Sequence, residues 1–492
     1  LLPADPDCHH NVRAVSEAQA LGHDRSTHGG WNLFDNGCGD DLREAAISGL
    51  QDALGAASEP SDAYGFPTFH DWPKWDDLTH QKMWVDWIRR AYRGGLRVMV
   101  ALAVNNKVLG DMTAGPGDYP TDDKSSADLQ IREIKSFVRR HSDFMQLAFS
   151  AADVQRIVAA DKLAVVIGTE IDHIGDFETV ESPRQPSEAE VRTEIDRLYR
   201  DGVRYIFPIH LTDNAFGGAA AYVNLFDLAN ALETGHPFNL VCAPGENIRY
   251  RYSNDDLSTK LVLLQLVKRG FAVTSITPPD CPAGVGEKNA LGLTPLGRFA
   301  IKYMMHLGML IDIDHMSEAA ADQALAIAEQ YKYPVNSGHN GVRGFSRDAS
   351  ERQLTARQYR IIGSLHGMAG VGSAKLNAQQ WFDLYQDVVR DMGGGDVVAG
   401  FGTDADGMEF MMPPRRGSRV RYGRRFRISR DGAKSWDYNR VGVAQYGMLW
   451  DFLEDVRSLP RGKNMVDNQF MNGAEYFYET WRQAEHRSGA VP

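Results

Sequence analysis

The chain has 492 residues, 43% of them hydrophobic and 24% charged, with a net charge of −12 and a pI near 5.7. That apolar content supports a sizeable core without staples, and the acidic balance argues against general affinity for nucleic acid or anionic membrane surfaces. No apolar run approaches the roughly 18 residues a membrane span requires, and neither end reads as a targeting or anchor signal, so the expected partners are small molecules.

Residues 1–75 are rich in Gly, Asp, His and Pro and read as a loop-rich N-terminal extension with one helical stretch at 41–54. From residue 76 the pattern becomes repetitive. A helix at His80–Arg93, apolar at Met83, Trp84, Trp87, Ile88 and Ala91, is followed by Gly94-Gly95 and a strand at Leu96–Val104. Helix 127–150 then leads to strand 163–170, helix 187–200 to strand 203–210, and helix 295–307 to strand 309–315. Helix 317–331 leads to strand 333–338, helix 355–363 to strand 368–373, and helix 379–392 to strand 397–404. Strands alternating with helices of this length imply βαβ units and a parallel sheet. The expected fold is α/β, a (β/α)8 TIM-type barrel with elaborated loops at 76–407, interrupted by an insertion at 211–294. Seven strands are legible where eight close a barrel, so the first strand is expected to be missing from this chain. Residues 408–492 form an Arg-rich hairpin and closing helices, with eight arginines from Arg415 to Arg430, read as a solvated hairpin or subunit contact rather than an anion clamp.

Four cysteines, Cys8, Cys38, Cys242 and Cys281, are too widely spaced for a CxxC motif. They form either inert thiols or two disulfides, of which Cys8–Cys38 and Cys242–Cys281 are the shortest pairing, and disulfides would favour an extracellular or periplasmic location.

Five apolar runs end on a metal-type or carboxylate ligand: LAVVIGTE at Glu170, VRYIFPIH at His210, MLIDIDH at His315, YPVNSGH at His339 and VVAGFGTD at Asp404. Buried parallel strands read as such runs, and a barrel gathers the C-terminal ends of its strands into one active site. Imidazole nitrogen and carboxylate oxygen are the donors Zn2+ takes in catalytic sites. His315 and His339 close consecutive strands, ~4.8 Å apart in a parallel sheet, and can reach one ion. Asp404 is preferred to Asp406, which lies beyond the apparent strand end. His9, His10, His23 and His28 read as solvated turn residues.

The stretches GLTPLGRFAIKYMMHLGMLIDIDHMS (292–317), SGHNG (337–341), RQLT (352–355), GFGTDADG (400–407), IGTE (167–170) and GVRYIFPIHLTDN (202–214) resemble the signatures of the membrane (renal) dipeptidase family of the amidohydrolase superfamily. The resemblance implies two zinc ions, with Glu170 bridging them and His315 and His339 as metal ligands of the second. It also implies His210 against the substrate or tetrahedral intermediate, Arg352 on the substrate carboxylate, Asp404 as the acid/base, and a possible homodimer. The family's His-x-Asp or His-x-His pair at the end of the first strand has no counterpart: Asp7–Asn11, His23–Arg25 and His70-Asp71 all lack a preceding apolar run. One metal site is therefore legible. The expected activity is hydrolysis of a dipeptide or similar small amide by a metal-activated hydroxide. The alternatives are a degenerate barrel that binds a ligand or partner, or hydrolysis of a lactone or other amide on the same site.

Overall fold

The computed structural model describes residues 74–76 and 85–492, apart from 114–119, 179–181, 183, 256–258, 261–262, 265–266, 268–269, 271–275, 347–348, 406–409, 419, 425 and 432–433. The helix expected at 41–54, Cys8, Cys38 and the N-terminal histidines lie outside the described residues.

In chain order, α1 (Val85–Arg93) leads to β1 (Val98–Asn105), and α2 (Lys107–Thr113) and α3 (Asp123–Arg140) lead to the short β2 (Met145–Leu147). After α4 (Ala151–Ala159) come β3 (Leu163–Ile171), α5 (Glu188–Arg200) and β4 (Val203–Ile206). The insertion carries α6 (Asn224–Thr234) and an antiparallel pair, β5 (Leu240–Cys242) with β6 (Glu287–Asn289). Regular alternation resumes with α7 (Pro295–His306), β7 (Leu310–Ile311), α8 (Glu318–Tyr331) and β8 (Ser337–Asn340). It continues through α9 (Ala356–Ser364), β9 (Ala369–Gly372), α10 (Ala378–Asp391) and β10 (Gly400–Gly402). A small hairpin, β11 (Ser429–Asp431) and β12 (Lys434–Trp436), precedes α11 (Tyr438–Val441), α12 (Leu449–Arg457), α13 (Gly462–Asn468) and α14 (Gly473–Ser488).

All pairings among the barrel strands are parallel. One run is ordered β1-β3-β4-β7, another β8-β9-β10, and a parallel bridge from Asp312 to Asn336 joins them. The result is the α/β, TIM-type barrel order expected from the sequence. Among the described residues, neither the outer edge of β1 nor that of β10 pairs with another strand. The carboxamide of Gln130 occupies part of the β1 edge, accepting the Val104 N–H at 3.1 Å and donating to its carbonyl at 2.7 Å.

Local chemistry explains the alternation. Each helix of the repeat starts on a side chain that satisfies its free N–H groups: Asp122 for α3, Ser150 for α4, Thr294 with Pro295 for α7, and Ser317 for α8. Ser187, Thr355 and Asn377 form full capping boxes with Glu190, Gln358 and Gln380. β3 is buried along all nine residues, as its unbroken LAVVIGTEI run requires of a central strand. Close packing at the strand ends needs glycine: a Cβ at Gly402 would lie 2.5 Å from both the Gly338 carbonyl oxygen and the His339 Cα.

The expected helix at 127–150 is corrected. The helix stops at Arg140, and Met145–Leu147 forms an extra strand against β3 before α4 begins. Strand ends also move. β4 stops at Ile206, so His210 lies four residues beyond it. β8 starts at Ser337 rather than 333, which puts His339 inside the strand. The Cys242–Cys281 disulfide is formed and staples the insertion.

Candidate metal centre

Glu170 stands one residue before the end of β3 and is 1% exposed, and both of its carboxylate oxygens are buried without a hydrogen-bond partner. Burying such a carboxylate costs several kcal/mol unless a cation or donors compensate it. Three imidazoles surround its Oε1: Nε2 of His315 at 2.9 Å, of His339 at 3.3 Å and of His210 at 3.7 Å. The Nε2 atoms of His315 and His339 are themselves 2.7 Å apart. Donor atoms around one Zn2+, each ~2.0–2.1 Å from it, lie about 3.3 Å from each other. An orphaned carboxylate ringed by convergent nitrogens therefore fits a divalent cation. Two donor sets overlap here, Glu170 with His210 and His315, and Glu170 with His339 and Asp404, each with its donor atoms within 4.8 Å of one another.

The backbone is held in uncommon states at two of these residues. His315 has φ of 65° and Asp404 φ of 46°. Left-handed conformations are costly for a non-glycine residue and cluster where geometry is imposed by a site. Both residues sit just beyond a strand end, where a sharp turn swings the side chain inward.

The imidazoles are oriented from behind. His210 Nδ1 lies 2.9 Å from Asp172 Oδ1, and Asp172 also accepts the Leu211 N–H at 2.8 Å and a hydrogen bond from Asn106. Asp314 accepts the backbone N–H of His339 at 2.8 Å, the Ser337 hydroxyl at 2.7 Å and the Asn340 amide at 2.8 Å. His315 Nδ1 lies 3.1 Å from the Tyr222 hydroxyl. The contacts at Nδ1 of His210 and of His315 leave the Nε2 of each facing Glu170, while Asp314 anchors His339 through its backbone.

Electrostatics follow from burial. Glu170 is pushed up to about 8, first by burial and then by the Asp404 charge, against the opposing pull of His210. Burial, with the nearby positive charges of His210 and Arg352, holds His315 and His339 well below the ordinary imidazole range and so in the neutral form that coordinates metal. Burial also opposes the charge on His210, but the hydrogen bond and charge of Asp172 outweigh it and raise His210 to about 9.

His210, His315, His339, Arg352 and Asp404 line a cavity of about 690 Å3 that continues between β1 and β10 past Val98, Val100, Leu102 and Phe401. Arg352 donates to the His339 carbonyl at 3.3 Å, and its guanidinium lies 5.3 Å from the centre of the Tyr222 ring.

Residues 268–413 match the family model for membrane dipeptidases (Peptidase family M19). That segment bears out the resemblance to the membrane dipeptidase family. It carries His315, His339, Arg352 and Asp404, whereas Glu170 and His210 lie before it. The fold is similar to that of a metallopeptidase from Rhodobacter sphaeroides, solved with a phosphinate mimic of the dipeptide L-Ala-D-Ala, with 14% identity, a TM-score of 0.48, and coverage of 82% of this chain and 90% of that one. It is also similar to an amidohydrolase from Pseudomonas aeruginosa, with 13% identity, a TM-score of 0.46, and coverage of 81% and 92%.

The structure thus brings His210, His315, His339, Arg352 and Asp404 to one cavity, with the buried Glu170 carboxylate against the imidazoles and Asp404. Sequence reasoning missed the orienting residues. Asp172 carried a signal, since it lies two residues after Glu170 on the same side of an extended chain. Asp314 did too, directly before His315. Tyr222 carried none. His70 and the other N-terminal histidines lie outside the described residues, as does Asp406.

Proposed function

We propose that this chain is a zinc-dependent hydrolase that cleaves a dipeptide or similar small amide bearing a free carboxylate. The observation that carries this is the buried, unpartnered Glu170 carboxylate encircled by three imidazole Nε2 atoms beside Asp404. The membrane dipeptidase match over 268–413 supports the substrate class.

Glu170, His315 and His339 would hold the cation, and Glu170 with Asp404 would contribute to a second. The bound metal supplies Lewis acidity and makes hydroxide available near neutral pH. Asp404 takes the proton released by the attacking water and passes it to the amide nitrogen as the C–N bond breaks. His210, turned by Asp172 so that Nε2 faces the cavity, donates a hydrogen bond to the carbonyl oxygen as negative charge develops on it. Arg352 offers a two-pronged donor to the substrate's terminal carboxylate. The products are an acid and an amine, and one water is consumed. The Cys242–Cys281 disulfide supports placing the protein in an oxidising compartment, extracellular or periplasmic.

Metal analysis of the purified chain, followed by assay against a panel of free and C-terminally amidated dipeptides, tests the proposal. Bound metal with turnover confined to peptides with a free carboxylate supports it; an intact folded chain with neither metal nor hydrolysis overturns it.

A further inference from the structure

The insertion approaches the metal centre along a fixed path. Its segment before α6 runs antiparallel to the residues around His315: Ala220 N–H donates to the His315 carbonyl at 2.7 Å, and Ser317 N–H donates to the Gly218 carbonyl at 2.8 Å. The buried carboxylate of Glu351 accepts the Ala221 N–H at 2.9 Å and also holds Asn289 and Glu318 through their N–H groups at 2.8 Å. The next residue is Tyr222. Its hydroxyl reaches His315 Nδ1 at 3.1 Å, its ring lies 5.1 Å from Phe226, and the Arg352 guanidinium sits over its face.

The His210 ring is oriented by the Asp172 carboxylate, and Asp314 holds His339 through its backbone N–H, both carboxylates belonging to the barrel strands and their ends. His315 alone among the three contacts a neutral phenol, brought in by the insertion. For His315 to coordinate through Nε2, Nδ1 must carry the proton, and the Tyr222 oxygen at 3.1 Å is placed to accept its hydrogen bond and hold the imidazole in that orientation. The Tyr222 ring also bounds the guanidinium that faces the cavity, which ties the ligand's orientation to the anion anchor.

We infer that Tyr222 is a positioning residue through which the insertion sets both the cation affinity of His315 and the aim of Arg352. This rests on the metal-hydrolase reading above. The test compares Tyr222→Phe and Tyr222→Leu with the wild-type chain, measuring zinc affinity by competition with a chromophoric chelator, and KM and kcat on a dipeptide. Tyr222→Phe keeps the ring and loses the hydroxyl; it is expected to bind zinc about 10–100-fold more weakly with KM at saturating zinc little changed. Tyr222→Leu loses the ring as well and is expected to add a rise in KM. Circular dichroism confirms that each variant is folded. Wild-type zinc affinity in a folded Tyr222→Phe overturns the inference alone, as does an unchanged KM in Tyr222→Leu. A wild-type chain that binds no zinc overturns both the inference and the proposal it rests on.

Discussion

Asp404 combines two demands at one position. It must place a carboxylate within reach of Glu170 and His339, and it does so with φ of 46°, a conformation that Asp and Asn tolerate better than other non-glycine residues. Asp404→Asn is therefore expected to keep the backbone and the remaining donors while removing the proton acceptor. Its kcat should fall about 10^2–10^4-fold with metal content at the His315–His339 site retained, as checked by parallel kinetics and metal analysis. At this scale the sequence exposed the donors because each ended an apolar run, which is the trace a buried strand leaves. The residues behind them were harder to see. Asp314 and Asp172 look like ordinary strand-end carboxylates until the chain is folded, and Tyr222 sits in AAAYVN with nothing periodic to mark it. Its role arises only from the insertion's path.

Helix α5 and helices α7 to α10 were legible to within one residue because their caps are written in Ser, Thr or Asn, followed in three of them by Glu or Gln. Where the sequence misled, the helix expected at 127–150 ran α3 on through β2, because a strand of three residues is too short to establish a period of two, and α4 was not read as a helix of its own. The insertion was visible as a length but not as a structure. Within it Asp227 accepts the Tyr250 hydroxyl at 2.8 Å and is buried near Glu287; burial chiefly raises its carboxyl to about 8. In the unfolded chain it would titrate near ~3.9. Between those values the folded state binds the extra proton, so this group's contribution to stability is fully present below ~3.9 and is lost as pH rises through about 8. Asp227→Asn is expected to lose less thermal stability than the wild type between pH 5.5 and 8, as read from melting temperatures across that range.

For the whole molecule, the edges of β1 and β10, unpaired among the described residues, matter most. The Arg97 carbonyl turns toward β3, where it accepts the Ala164 N–H at 2.8 Å. By alternation Val98, Val100 and Leu102 turn their backbone groups to the other side, toward the cavity. Hydrogen exchange should read this directly. The amides of Val98, Val100 and Leu102 are expected to exchange at least about tenfold faster than those of Val165, Val166 and Ile167 in β3. The count of seven strands in parallel order was readable from the sequence. That β1 and β10 would carry the edges left unpaired among the described residues was not, because strand order is a property of packing rather than of any one segment.

The segments that precede β1 and follow β10 in the chain meet in a clasp. Trp87 on α1 meets Trp436 edge to face at 5.4 Å, and Arg90 pairs with Asp451, whose side chain is 0% exposed, while donating to the Arg427 carbonyl at 2.8 Å. Arg90→Met would strand a buried carboxylate and is expected to cost about 3–5 kcal/mol in denaturant unfolding while leaving zinc affinity unchanged. The partners of the ion pair are 361 residues apart in the chain, whereas β3 and β4 pair within one βαβ unit. Loop-closure entropy grows with sequence separation, if slowly, and a contact of this range is expected to form after the local ones. A clasp that closes late leaves its mark on unfolding, so Arg90→Met is expected to speed unfolding more than it slows folding, as read from the two arms of a chevron plot.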